Sequence, residues 1–170
     1  MPLLDSFSPD TLTPTRLWTA LDLPTRELAA KAAMDSDPET RAQAIHAISS
    51  TLNFRRAGIL KLPTDKQVYY LTSRVRPDHE LASSLLLALH LKYRQDLLGS
   101  FLDQLRIPHD NGVVATEYKL QPMDTSTLKP AVQSLREQFD EIEVELYLAT
   151  LVALDPDTWG ALTHIILPGS

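Results

Sequence analysis

Asp78-His79-Glu80-Leu81-Ala82-Ser83-Ser84-Leu85-Leu86-Leu87-Ala88-Leu89-His90-Leu91 is the stretch on which the fold class turns. On a helix, Leu81, Leu85, Leu86, Leu87, Ala88, Leu89 and Leu91 spread apolar surface almost all round, and a helix of that kind has to be enclosed by other elements. Ser83, Ser84, Lys92 and Arg94 interrupt the run, which falls far short of the roughly 20 apolar residues that cross a bilayer. The stretch therefore predicts a buried helix at the centre of an all-α protein.

The flanking sequence repeats the helical period. Leu97, Leu98, Phe101, Leu102 and Leu105 form a stripe between Gln95 and Arg106, with Gly99 on another face and Pro108 beyond the end. Twelve prolines punctuate the chain. Thr13-Pro14 and Pro24-Thr25 each open a short helix, the second carrying Leu28, Ala29, Ala32 and Met34. Asp37-Pro38-Glu39 sets a capping oxygen and an acid at the start of a helix with Ala42, Ile45, Ile48 and Leu52. Thr64-Asp65-Lys66-Gln67 matches a capping box ahead of Val68 and Leu71.

After Pro108 the helical period lapses. Asp110-Asn111-Gly112 is a turn signal, and Val113 to Leu120 reads as extended. Helical spacing returns with Leu128, Val132, Leu135 and Phe139, on the condition that Pro130 falls in a first turn. Glu141 to Leu146 alternates as a strand would, yet Ile142, Leu146, Ala149 and Ala153 continue a helical stripe, and partner strands are scarce. Asp155-Pro156 opens a last short helix with Trp159, Leu162 and Ile166. The expectation is a compact irregular bundle of about eight or nine helices, or of stacked helical hairpins, with one long loop holding a short extended segment. It forms a single domain over 1–170, subdivisible as 1–112, a loop 113–124 and docked helices 125–170.

Composition narrows the function classes. The 170 residues are 44% hydrophobic, 22% charged and 6% aromatic, which describes a globular chain with a core of Leu, Ala, Ile and Val. No cysteine is present, which excludes thiol nucleophiles and thiolate metal sites and suits a reducing compartment. The first residues lack a basic flank and apolar run of secretory type, so a cytoplasmic location without membrane association is expected. A net charge of -6 argues against a broad nucleic-acid footprint.

Phe101-Leu102-Asp103-Gln104-Leu105-Arg106-Ile107-Pro108-His109-Asp110-Asn111-Gly112 is the most individual stretch. Between Leu81 and Val114 the chain resembles a group of uncharacterised bacterial helical proteins in which a Phe-Leu-Asp helix ends at Ile-Pro-His before a glycine turn. That resemblance implies a helical fold and carries no activity. The segment from Asp35 to Leu52 also resembles one helix of a HEAT-type repeat, with no second copy at fixed spacing.

Few side chains stand out chemically. His109 and Asp110, where a helix gives way to a turn, are catalytic candidates, with His90 in the apolar helix as a possible base or ligand. Helix capping by His109 and turn duty for Asp110 and Asn111 are the simpler account. Asn111, Arg55 and Arg56 are binding candidates; Arg55 and Arg56 with Phe54 and Lys61 make a compact basic patch. Salt bridges from that patch to the acidic run Glu137, Asp140, Glu141, Glu143 and Glu145 are its plainest explanation. No metal-ligand spacing, phosphate loop or dinucleotide fingerprint occurs, so no metal and no cofactor are expected. The sequence thus favours a noncatalytic helical interaction or scaffold protein, binding another protein or itself. The alternatives are a small enzyme with His109 and Asp110 beside the long loop, and a weak nucleic-acid binder through Arg55 and Arg56.

Overall fold

The computed structural model describes residues 3–169 and is all-α apart from one minimal hairpin. In chain order the helices are α1 (Pro14–Ala20), α2 (Leu23–Ser36), α3 (Pro38–Leu52), α4 (Arg56–Leu60), α5 (Thr64–Ser73), α6 (His79–Tyr93) and α7 (Gln95–Gln104). The hairpin strands β1 (His109–Asp110) and β2 (Val113–Val114) follow, then α8 (Thr125–Gln138), α9 (Glu141–Leu154), α10 (Pro156–Trp159) and α11 (Thr163–Ile166). Close contacts gather into two compact units: one takes Trp18–Leu89, the other the chain up to Leu17 and from His90 onward. The loop 113–124 does not divide them, since α7 packs on α8.

Aspartate caps set several of these helix starts. Asp22, Asp37, Asp124, Asp140 and Asp155 each accept backbone N–H groups of the helix that follows. Bonds from Thr25 hold the Asp22 carboxyl below its usual range, and bonds from Thr127 do the same for Asp124. Thr64 is different: Pro63 precedes α5 without a side-chain cap, and Gln67 turns inward. There its Nε2 donates to the Ile59 carbonyl at 2.9 Å and its Oε1 accepts from Arg41 at 3.3 Å. The expected capping box is thus replaced by a buried amide that ties α4 and α3 to α5.

In the Trp18–Leu89 unit, α2 packs on α3 and α5, and α3 also meets α4 and α5. The small side chains Ala29, Ala30, Ala32 and Ala33 are fully buried, so α2 approaches its neighbours closely, while Leu28 lies on the outer face and not in the expected stripe. The helix α4 was not foreseen: it contributes a single buried side chain, Ile59, too little for any periodicity to register.

The other unit is centred on α9. Val144, Leu146, Tyr147, Leu148, Ala149, Thr150, Val152 and Ala153 are all buried, so α9 is enclosed on every side, whereas Leu87 in the leucine run of α6 is exposed. The helical reading of Glu141 to Leu146 holds, but Ile142 is 61% exposed and leaves the stripe that was drawn through it. Pro130 sits inside α8, beyond the first turn. The carbonyl it cannot serve belongs to Ser126, and both residues are exposed, so the lost bond falls on the solvent-facing side of the helix, where it costs least. The segment expected after Asp155 as one helix is divided into α10, a 3₁₀ turn (Gly160–Leu162) and α11.

The helix α7 ends in a Schellman motif: the Ile107 N–H bonds to the Leu102 carbonyl at 2.9 Å and the Arg106 N–H to that of Asp103 at 3.0 Å. Arg106 takes the left-handed conformation that glycine usually fills, at φ 58°. The chain then runs into the hairpin, where Asn111 (φ 50°) and Gly112 (φ 88°) form a two-residue turn of the primed type that suits strand twist. Of the extended segment expected from Val113 to Leu120, only Val113 and Val114 pair.

Gly112 lies so close to α7 that a Cβ would stand 2.5 Å from the Leu98 Cβ. Gly112→Ala should therefore lower unfolding free energy by about 2 kcal/mol or more, through both positive φ and the clash. Gly58→Ala, inside α4 with nothing within 4 Å, should raise it by about 0.5 kcal/mol. Urea titration of the two variants checks the contrast.

Candidate functional site

His109 stands on β1 with its ring against the face of α7 that Gly99 leaves open. A Cβ at Gly99 would meet the His109 Cε1 at 3.2 Å, so this glycine, which periodicity places off the leucine stripe, is what admits the imidazole. The ring is bonded at both nitrogens: Nδ1 accepts the Gly112 N–H at 3.1 Å, and Nε2 bonds to Asp103 Oδ1 at 2.8 Å. Because Nδ1 accepts, the proton resides on Nε2 and is donated to the carboxylate. His109 therefore does not cap α7, as the sequence implied; it pins the hairpin onto that helix. Asp110, next along the strand, is exposed and shares neither partner. Asn111 serves the turn through its positive φ.

Beside His109 lies an open cleft of about 440 Å³, bordered by Asp96, Ser100, Asp103 and Asn111. Asp110 does not line it, and neither does His90. The expected constellation of His109, Asp110 and His90 is thus not assembled: one histidine is held by Asp103, the other is sealed elsewhere in the same unit.

His90 is 1% exposed, near the end of α6. The Thr150 hydroxyl donates to the Leu146 carbonyl at 2.7 Å and so accepts the His90 Nε2–H at 2.9 Å. Nδ1 is left without a hydrogen-bond partner among the described residues. The ring meets Tyr147 edge-on at 5.5 Å, Tyr147 meets Phe101 at 5.7 Å, and Phe101 meets Trp159 at 5.7 Å. Burial, and then the Arg94 guanidinium, pushes the His90 pKa down to about 3, so the imidazole is neutral at physiological pH. Burial also pushes the Tyr147 phenol up. These are the properties of a packed polar core group, and sequence periodicity had already placed His90 among leucines.

Arg55 and Arg56 behave differently. Both are exposed, and neither makes an ion pair among the described residues. Among the described residues the acidic run takes its cation from its own unit, where Arg94 Nη2 lies 3.9 Å from Glu143 Oε1. Arg56 also borders a second cleft, of about 500 Å³, in the Trp18–Leu89 unit. Sequence reasoning missed Arg76 and Gln43 on its wall, because they come from two separate segments of the chain.

Among the described residues no three His, Asp or Glu side chains gather as a metal site requires, and no helix is long and apolar enough to cross a membrane. No family model, curated protein or solved structure matches this chain.

The His90 environment has a sign that can be measured. Its folded pKa lies below the value of about 6.5 expected in the unfolded chain. Between the two values the unfolded chain binds a proton that the folded chain refuses, so stability rises with pH over that range. The contribution is complete above pH ~6.5 and is lost as the pH falls toward 3. From pH 7 to pH 5 the wild type should lose about 2 kcal/mol more than His90→Gln in urea unfolding. Parallel losses in the two proteins would show that burial does not perturb this histidine.

Proposed function

We propose that this chain is a noncatalytic helical interaction protein that docks through residues 54–61, and that the occupant of this surface is the first turn of α9 on a second copy. The supporting observation is the exposure of an apolar and cationic segment whose charges have no partner among the described residues. Asn53, in the left-handed region at φ 56°, turns the chain out of α3, and the Ser49 hydroxyl fixes the turn by donating to the Phe54 carbonyl at 2.5 Å. Phe54 is left 53% exposed and Leu60 52% exposed, with Arg55, Arg56 and Lys61 around them. Only Ile59 anchors α4 below.

The first turn of α9 has the complementary chemistry. Ile142 is 61% exposed between Glu141 and Glu143, with Asp140 and Glu145 close by in sequence. Burial, and then repulsion from Glu141, pushes the Glu145 carboxyl above its usual range, a strain that an incoming cation relieves. Each copy carries both surfaces, so residues 54–61 of one copy meet α9 of the other. Small apolar anchors ringed by charge make such a contact weak and salt-sensitive. A nucleic-acid partner is less well served: residues 54–61 hold one aromatic, Phe54, and successive bases need successive stacking platforms.

Sedimentation velocity across a concentration series should show reversible self-association at low ionic strength that weakens as salt is added. Arg55→Glu/Lys61→Glu and Glu141→Lys/Glu145→Lys should each be monomeric alone and should associate when mixed, because each then offers the surface the other lacks. A wild type that stays monomeric throughout, or swaps that associate as the wild type does, would overturn this reading. A low-salt mobility shift with RNA or DNA, lost in the Arg55/Lys61 variant while the protein sediments as a monomer, would transfer the surface to nucleic acid.

A further inference from the structure

The cleft of about 500 Å³ in the Trp18–Leu89 unit falls in the size range of small-molecule sites, and its wall combines groups that the fold does not consume. Arg56 comes from the start of α4 and Arg76 from the connection between α5 and α6. Neither makes a hydrogen bond or ion pair among the described residues. The acids on the same wall are committed: Asp78 caps α6 by accepting the Leu81 N–H at 2.8 Å, and Glu80 accepts from Gln43 Nε2 at 3.1 Å. That second bond fixes the orientation of the Gln43 amide, because a flipped amide would set two oxygens against each other. Gln43 Oε1 consequently remains a buried acceptor that no donor serves among the described residues.

We infer that this cleft binds a small apolar monocarboxylate carrying an N–H donor next to its acid group, with Arg56 and Arg76 taking the carboxylate. Guanidinium groups match a carboxylate in shape as well as charge, through paired N–H donors. Asp78 and Glu80 offset the charge of the two arginines, so the carboxylate is held by paired N–H donors and not by net charge, and a phosphate dianion gains no net attraction. Val75 and Leu81 supply the apolar wall for the ligand body. Gln43 lines the cleft, and its unserved Oε1 is the acceptor for the donor beside the acid. An N-acylated apolar amino acid and the carboxyl end of a peptide share this chemistry. Arg56 also belongs to the docking surface proposed above, whereas Arg76 does not, so Arg76 variants report on the cleft apart from self-association.

The test is titration of the ¹⁵N-labelled full chain, followed by amide NMR, with N-acetyl-leucine, its methyl ester, inorganic phosphate and a tetrapeptide ending in leucine. N-acetyl-leucine should shift the amides of Ser50, Val75 and Leu81, with affinity of about 1 mM. The ester should bind about tenfold or more weakly, and phosphate should leave these amides in place. Arg76→Ala should weaken N-acetyl-leucine by about tenfold while leaving the spectrum outside the cleft unchanged, which also reports its folding; Arg76→Lys should fall between. A tetrapeptide that binds more tightly than N-acetyl-leucine assigns the cleft to chain ends, and the converse assigns it to free metabolites. Absence of shifts with both carboxylates, equal binding of acid and ester, or phosphate acting at the same amides would overturn the inference.

Discussion

The edge-on contact between Tyr147 and its two neighbours, His90 and Phe101, holds the α9-centred unit together. An edge-to-face ring pair adds to the burial of the rings themselves, and here the rings link the end of α6, the middle of α9 and α7 in one continuous chain to Trp159. Thr150 completes the arrangement one turn along α9 by accepting from His90 while bonding back to its own helix. A helix buried on every side has no polar face, so its ends must carry the polar work. Asp140 caps its start, and Glu143 faces Arg94 there.

That division of labour accounts for what the sequence disclosed and what it concealed. Helical architecture was legible in the spacing of Leu85, Leu89, Leu98, Leu128, Val132 and Leu135, because periodicity registers whichever face a helix buries. The identity of the central helix was not: the alternation of Glu141, Glu143 and Glu145 masked the start of α9, while the leucine run of α6 drew attention although Leu87 lies exposed. Pro130 was misplaced because an exposed proline in a helix tolerates what a buried one does not. The helix α4 left no trace, since one buried isoleucine has no period.

Among the candidate residues, His109 and Asp110 were singled out by position, and the structure separates them. His109, Gly99 and Gly112 turn out to be one device, in which two glycines let a histidine and a hairpin lie flat on α7. No one-dimensional pattern shows that, because the glycine that matters stands ten residues from the histidine it admits. The polar groups of this device are spent on each other. Around α4 the reverse holds: the side chains of Arg55, Arg56 and Arg76 have no partner among the described residues, and the function proposed for the chain rests on that contrast.

Native-state hydrogen exchange along α9 tests the central claim most directly. If the ring contacts of Tyr147 make α9 the core of its unit, the amides from Leu148 to Ala153 should exchange only through global unfolding, with protection equal to the full unfolding free energy. Exchange of these amides through local opening, at a free energy well below that of α7 or α8, would contradict the account.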